Sequence, residues 1–320
     1  MSDLPYRIAS AFLVSLIVSG IAAPLVYRML VNLGSRQKIS EHVTEHAHKQ
    51  GTPTMGGLMI LAGWIAGILV CFPLKHTKTF LGIILLFAAI GFADDYVVPR
   101  MWPNTRGLGW KQKLILQIGG TAAILYGVGY ASKDVAYLTF LVLFFSNAYN
   151  FADGMDALAG SLAVILATTL GVFAIASAAN PWVTPHVMFA LVGGLIPFLF
   201  FNAPPAKVFM GDVGALPIGA ALGFAVGNIP LRSEVMAWQL WVLPLTLLSL
   251  VMIIELLPVP IQIAGVKLFK KRIFPRTPIH HAFQIAGWPE TRVVMMFVLV
   301  QFVCAALAFL WVMLLTGRLS

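Results

Sequence analysis

The sequence predicts an all-α, polytopic integral membrane helical bundle of about ten transmembrane helices, on three observations. The chain of 320 residues is 59% apolar and only 10% charged, with a mean hydropathy of +0.89, whereas a soluble domain carries about 25% charged residues. Apolar runs follow one another from end to end and leave no separate polar domain, so residues 1–320 read as a single transmembrane domain. The runs are too long for barrel strands. In lipid, backbone polar groups must be satisfied within the spanning structure, which leaves helices.

The first run, 8–31, exceeds the roughly 7–15 apolar residues of a signal-peptide core and reads as a retained helix. Polar breaks then delimit 55–74, 79–93, 114–131, 135–149, 157–179, 186–202, 213–228, 235–266 and 292–316. The third, fifth and eighth runs are shorter than the roughly 20 residues of a perpendicular span. Their polar ends therefore sit below the headgroups, facing protein or water. Cys71 and Cys304 lie inside apolar runs, without CxxC spacing, and read as small buried hydrophobes.

With ten spans, both termini share one face and the five odd-to-even connections share the other. Fifteen of the 21 Lys and Arg residues fall on the odd-to-even side, among them Lys111, Lys113, Lys267, Lys270, Lys271, Arg272 and Arg276. Such a bias places those connections in the cytoplasm and both termini outside. The pI of about 9.7 belongs to a chain with no soluble basic domain, which argues against nucleic acid. It fits anionic inner-leaflet lipids and a phosphorylated substrate instead.

The other polar residues follow the same geography. Asp94 and Asp95 end the third run, Asp153 and Asp156 open the sixth, Asp212 opens the eighth, and His280 and His281 lie in the last cytoplasmic connection. Groups scattered in sequence but confined to one face describe a single site built by converging helix ends. An ionisable group in the membrane costs at least about 2.5–3.5 kcal/mol, so each one asks for a function. For Asp153 and Asp156, a helix N-terminus supplies a bland account through its dipole. For Asp94 and Asp95, read at a helix C-terminus, the dipole is unfavourable and the charges repel each other. A cation must neutralise them: a hard divalent metal, Lys113 or a histidine. Oxygen ligands shared with a substrate phosphate point to Mg²⁺.

Two loops fit phosphate handling. "KQGTPTMGG" (49–57) offers Lys49, Thr54 and a glycine pair at a helix start, where free N–H groups bind anions. "KVFMGDVG" sets Phe209, a face on which a base can stack, beside Asp212. "HVTEH" (42–46) has H-x-x-E-H spacing, but a short polar connection lacks the helix and third ligand a zinc site needs. A different class is an ion-coupled transporter, suggested by spans interrupted at Gly193, Gly194, Pro197 and Pro217. It would need charges near mid-membrane, and here the candidates lie on one face.

Six blocks in order, "GTPTMGG", "GFADDY", "GLGWKQKLILQ", "SNAYNFADGMDALAGS", "FFNAPPAKVFMGDVGALPIG" and "TPIHHAFQIAGWPETRV", resemble the polyprenyl-phosphate N-acetylhexosamine-phosphate transferase superfamily over nearly the whole chain. The "PTMGG" and "GW-P-E" pieces resemble its muramoyl-pentapeptide branch more than the sister branch using UDP-N-acetylglucosamine. The resemblance implies a membrane enzyme of peptidoglycan synthesis at the bacterial inner (cytoplasmic) membrane. Such an enzyme uses Mg²⁺ to transfer phospho-MurNAc-pentapeptide from UDP-MurNAc-pentapeptide to undecaprenyl phosphate, giving lipid I and UMP; a homodimer is compatible with it.

The resemblance also implies roles. Asp94 and Asp95 fall on the aspartate pair that handles the lipid phosphate, as general base or nucleophile, and Asp212 on the metal-binding aspartate. Asn150, Asp153, Gly154 and Asp156 match "N-x-x-D-G-x-D", and Phe209 matches an aromatic that packs on uracil. Lys49, Thr54, Lys113 and Asn202 match polar residues of the nucleotide-sugar cleft. His280 and His281 match two of three consecutive histidines, His280 with a catalytic role and His281 with a substrate contact. Ala282 replaces the third histidine, Gln284 an acidic residue, Ala215 a serine, and Val97 and Val98 stand where a basic residue is common.

Overall fold

The computed structural model describes residues 3–33, 51–71, 74–102, 105, 107–177 and 183–317. Every regular element among them is helical. The helices are α1 (Leu4–Leu33), α2 (Gly57–Cys71), α3 (Leu74–Phe92), α4 (Val98–Met101), α5 (Trp110–Val128), α6 (Ser132–Ala152) and α7 (Leu158–Ala176). They continue with α8 (Val183–Asn202), α9 (Asp212–Arg232), α10 (Val242–Leu248), α11 (Leu250–Leu256), α12 (Pro258–Phe269), α13 (Ile279–Ile285) and α14 (Glu290–Leu315). Among the described residues, eight helical stretches are long and apolar enough to cross a membrane, and Gly57–Val70 and Trp238–Leu248 are shorter apolar helices. The chain is a multi-pass membrane protein.

Each of the ten apolar runs meets a helix, with instructive differences. The three runs read as short are longer in the structure because polar residues join the helix ends. The eighth run, for instance, becomes a helix from Asp212 to Arg232. The third does not stop at residue 93: a π-helical turn, Ala93–Val97, carries α3 into α4 and on to Met101. Asp94 and Asp95 therefore lie inside a helix rather than at its C-terminus. The ninth run is broken into a 3₁₀ turn at Trp238–Trp241 followed by α10, α11 and α12. Pro258, at the start of α12, removes a helix donor and restricts the residue before it.

Small residues let the backbones close up, the usual device where lipid supplies no hydrophobic drive between helices. On α9, Gly219, Gly223 and Gly227 leave no room for a Cβ against Phe145, Leu141 and Leu138 of α6. Ser146 Oγ also donates to Leu216 O at 3.1 Å across that seam. On the other side, Gly63 and Gly67 of α2 and Gly193 of α8 meet the backbone of α1 at Ser15, Ala11 and Phe12. Trp64 Nε1 ties α2 to α8 through Val187 O at 2.8 Å. The membrane-spanning window of α9 is wholly buried, so the bundle is organised around the helix that begins with Asp212. Cys304 is a free, buried thiol, as its apolar surroundings predict.

Candidate functional site

The site is assembled at one end of the bundle, where α2, α5, α7 and α9 begin and α3, α6 and α8 end. Gly57 and Gly214 approach so closely that neither tolerates a Cβ, and a Cβ on Gly91 would run into the Asp212 carbonyl. The N-terminus of α9 is thereby wedged between α2 and the end of α3. Its first N–H groups have no intrahelical acceptors, and carboxylates take them. Asp95 Oδ2 accepts Val213 N–H at 3.0 Å, and the Asp153 carboxyl accepts the N–H of Gly211. The positive end of the α9 dipole favours both.

The π turn helps aim the aspartate pair. Successive helical side chains point about 100° apart, so adjacent carboxylates need not face each other. Asp95 turns to α9, while Asp94 turns to the start of α5. There its Oδ1 accepts Leu108 N–H at 2.7 Å and its Oδ2 lies 3.0 Å from Lys113 Nζ. Lys113 also donates to Asp212 Oδ2 at 2.6 Å, and Asn150 Nδ2 donates to Asp212 Oδ1 at 3.0 Å. Of the cations considered from sequence, Lys113 is the one bonded to Asp94, and a helix N-terminus serves Asp95. Burial, with Asp212 and Asp95 nearby, pushes the Asp153 carboxyl well above the usual carboxylate range, against the opposing pull of the Gly211 N–H.

Oxygen atoms of Asp94, Asp95 and Asp212 lie within 4.8 Å of one another and form a group able to hold a metal ion. The cluster opens into a cavity of about 390 Å³ whose lining includes Asp94, Lys113, Asn150 and Asp212, with Gln117 and Asn147 on its wall. Gln117 and Asn147 bond to each other at 3.2 Å; sequence reading missed both, although each stands in a quoted block.

The remaining expected residues form a second tier. Gly56 and Gly57 donate their N–H groups to Phe209 O and Met210 O at 2.8 and 2.9 Å. The glycine pair is thus not the free anion nest expected from sequence, because cross-pairing with the 209–210 segment already satisfies those donors. The same pairing seats Phe209, half-buried, before α9. Thr54 Oγ1 would lie 2.9 Å from a Cβ at Gly211, on the Asp95 side of the cluster. Asp153 caps the end of α6 rather than opening α7. Asp156 Oδ2 accepts Ala206 N–H at 2.9 Å, its own N–H donates to Glu290 Oε1 at 2.7 Å, and Asn202 joins Ala157 N–H to Val208 O. Both residues brace the loops around the cleft. His280 is fully buried against Glu255, and His281 Nδ1 lies 2.9 Å from Gln284 Oε1. Gly154 faces both imidazoles. Lys49 and the histidines of "HVTEH" lie outside the described residues.

Residues 77–229 match the family described as glycosyl transferase family 4, and with the relatives below this places the bundle in the class of polytopic membrane transferases. Residues 49–61 match phospho-N-acetylmuramoyl-pentapeptide-transferase signature 1. Proteins of that name are similar along most of the chain. The one from Latilactobacillus sakei is 37% identical over 82% of this chain and 85% of its own length. Those from Listeria welshimeri and Pelotomaculum thermopropionicum are each 34% identical, over 91% and 92% of this chain and 94% and 95% of their own. The chain belongs to the phospho-N-acetylmuramoyl-pentapeptide-transferase family.

Proposed function

We propose that the chain, acting as one transmembrane domain, transfers phospho-N-acetylmuramoyl-pentapeptide from its uridine diphosphate donor to undecaprenyl phosphate, releasing UMP. The reaction takes place at the cytoplasmic face of a bacterial inner membrane, the face to which the bias of Lys and Arg assigns the odd-to-even connections. The observation that carries the reading is the arrangement of Asp94, Lys113 and Asp212, an ammonium bridging two carboxylates beside the N-terminus of α9. A membrane-level cluster at helix ends is reachable both by a soluble nucleotide sugar and by a phosphate whose tail stays in the bilayer.

The donor set fits Mg²⁺: three carboxylates within 4.8 Å, oxygen only, with room in the cavity for phosphate oxygens and water. Asp212 would hold the ion, with Asp94 and Asp95 in reach. Bound there, Mg²⁺ supplies Lewis-acid charge neutralisation for the diphosphate.

The chain's own residues do the rest. Leu108 N–H and Lys113 hold the Asp94 carboxylate in place to take the proton of the lipid phosphate, leaving it dianionic and nucleophilic. An oxygen of that phosphate bonds to the sugar-bearing phosphorus as the bond to UMP breaks, and the electron pair leaves with UMP. Asp95 positions the lipid phosphate. Lys113 offsets the negative charge that gathers at the reacting phosphates. Asn150 fixes the Asp212 carboxylate. Phe209 offers its ring to the uracil, Thr54, Asp153, Gly154 and His281 border the donor, and Lys49 supplies positive charge for its phosphates. His280, buried behind that border, orients it. A covalent route with Asp94 as nucleophile would leave a trapped aspartyl-phosphate sugar.

The test is UMP release by purified protein with Mg²⁺ and undecaprenyl phosphate, comparing UDP-MurNAc-pentapeptide with UDP-N-acetylglucosamine. Turnover with the muramoyl donor is expected. Turnover with the other donor alone reassigns the chain to the sister chemistry, and silence with both overturns the reading.

A further inference from the structure

Glu255 is the only charged residue in the apolar run 235–266. It sits on α11, one of the fragments into which that run breaks, with its side chain at zero exposure. A lone acid there is costly, and the structure shows what it is spent on. Glu255 Oε2 lies 2.7 Å from Nδ1 of His280, itself at zero exposure on α13. Whichever partner holds the proton of that bond, Nδ1 is committed to Glu255, and Nε2 is the atom left to act.

The direction of Nε2 is informative. It has no hydrogen-bond partner among the described residues, and a Cβ on Gly154 would come within 2.6 Å of it. His281 repeats the arrangement. Its ring lies 4.2 Å from that of His280, its Nδ1 is held by Gln284, and its Nε2 is 3.6 Å from the same Cβ position. Two imidazoles, each fixed through Nδ1, thus turn their Nε2 atoms to the one point of the 153–156 turn that carries no side chain. That turn begins at Asp153, which reaches the Gly211 N–H next to Asp212.

We propose that Glu255 is the positioning residue of the histidine loop. Through His280 it fixes the seating of the Gly154 turn, so that the broken ninth segment sets the geometry of the donor side of the site. A partner that fixes one imidazole nitrogen to direct the other is a recurrent device, and at metal-bound histidines its removal costs about 10–100-fold in affinity or activity. The inference rests on the reading of 153–156 as bordering the donor.

The experiment compares Glu255→Leu, Glu255→Gln and Glu255→Asp in the full-length protein. Glutamine keeps the length and an acceptor oxygen for Nδ1–H, leucine keeps neither, and aspartate keeps the charge but falls short of the ring. In kcat/KM for UMP release, Glu255→Leu should lose about 10–100-fold, and Glu255→Gln should recover at least half of that loss on a logarithmic scale. In a His280→Gln background, Glu255→Leu should cost nothing further. Equal losses for Leu and Gln, or full additivity with His280→Gln, would overturn the proposal. If Glu255→Leu does not fold, the order Gln above Asp carries the same decision and the reverse order overturns it. A readout free of turnover is the Nδ1 resonance of His280 in ¹⁵N-histidine-labelled protein. It should shift in Glu255→Asp and hold in Glu255→Gln, and an unmoved resonance in Glu255→Asp counts against the pair even if the transferase reading itself fails.

Discussion

The Lys113 ammonium stands 2.6 Å from Asp212 Oδ2 and is shared with Asp94 at 3.0 Å. It therefore occupies the oxygens a divalent cation would use, with its side chain only 19% exposed. A tethered single charge holds the carboxylates together, and a doubly charged ion taking the same oxygens would have to displace it.

Lys113→Met should separate these two effects. Loss of the ammonium removes charge compensation at the reacting phosphates, and UMP release should fall on the order of 10²-fold. At the same time the vacated carboxylates should bind Mn²⁺ more tightly, as read by titration of its paramagnetic signal. Weaker Mn²⁺ binding would show that Lys113 shapes the metal group rather than competing with the ion.

Gly211 is a backbone requirement, not a spacer. Its φ is +71°, and a Cβ there would stand 2.6 Å from Asp95 Oδ2 and 2.9 Å from Thr54 Oγ1. Gly211→Ala therefore combines a left-handed strain with a clash inside the cluster, a cost of about 1–3 kcal/mol. The thermal midpoint should fall, and Mn²⁺ binding should weaken with it because Asp95 must move. An unchanged midpoint would refute the close packing.

Much of this site is legible in the sequence. Polar residues confined to odd-to-even connections must gather at one end of an up-and-down bundle, which is how Asp94, Asp153 and Asp212 meet. Lys113 was legible as one of three candidate neutralisers, beside a divalent metal and a histidine, because two adjacent carboxylates need one. The π turn was not, since hydropathy has no means of telling a helix that ends at residue 93 from one that continues through a polar turn. Nor was Glu255. Its partner His280 is 25 residues away, and within the run it looks like an isolated exception. The glycine pair at 56–57 misled for a related reason: the acceptors at Phe209 and Met210 lie far along the chain.

Asn202 offers a direct check on a role carried over by resemblance. It is 3% exposed, and its amide is bonded at both ends, to Ala157 N–H and Val208 O. Asn202→Ala leaves a buried carbonyl unsatisfied, at about 1–3 kcal/mol, and a half-buried N–H at less. The thermal midpoint should drop before any change in KM for the donor appears. A raised KM at unchanged stability would return Asn202 to the substrate surface.

Removing the metal tests the carboxylate cluster as a whole. A divalent ion held by ionised Asp94, Asp95 and Asp212 would, together with Lys113, cancel their three charges and should stabilise the fold by linkage. At a concentration of 100 times its Kd, an ion that binds the folded state alone adds about 2.7 kcal/mol. Mg²⁺ should therefore raise the thermal midpoint of the wild-type protein, and a chelator should abolish UMP release until Mg²⁺ is restored. In Asp212→Asn the ammonium and two carboxylates leave one charge instead of two, and the residue on which the ion would rest is gone. The midpoint should then be insensitive to Mg²⁺, and added metal should not rescue turnover. An equal Mg²⁺-induced rise in Asp212→Asn and in wild type would place the ion elsewhere on the molecule and remove Asp212 from the metal assignment.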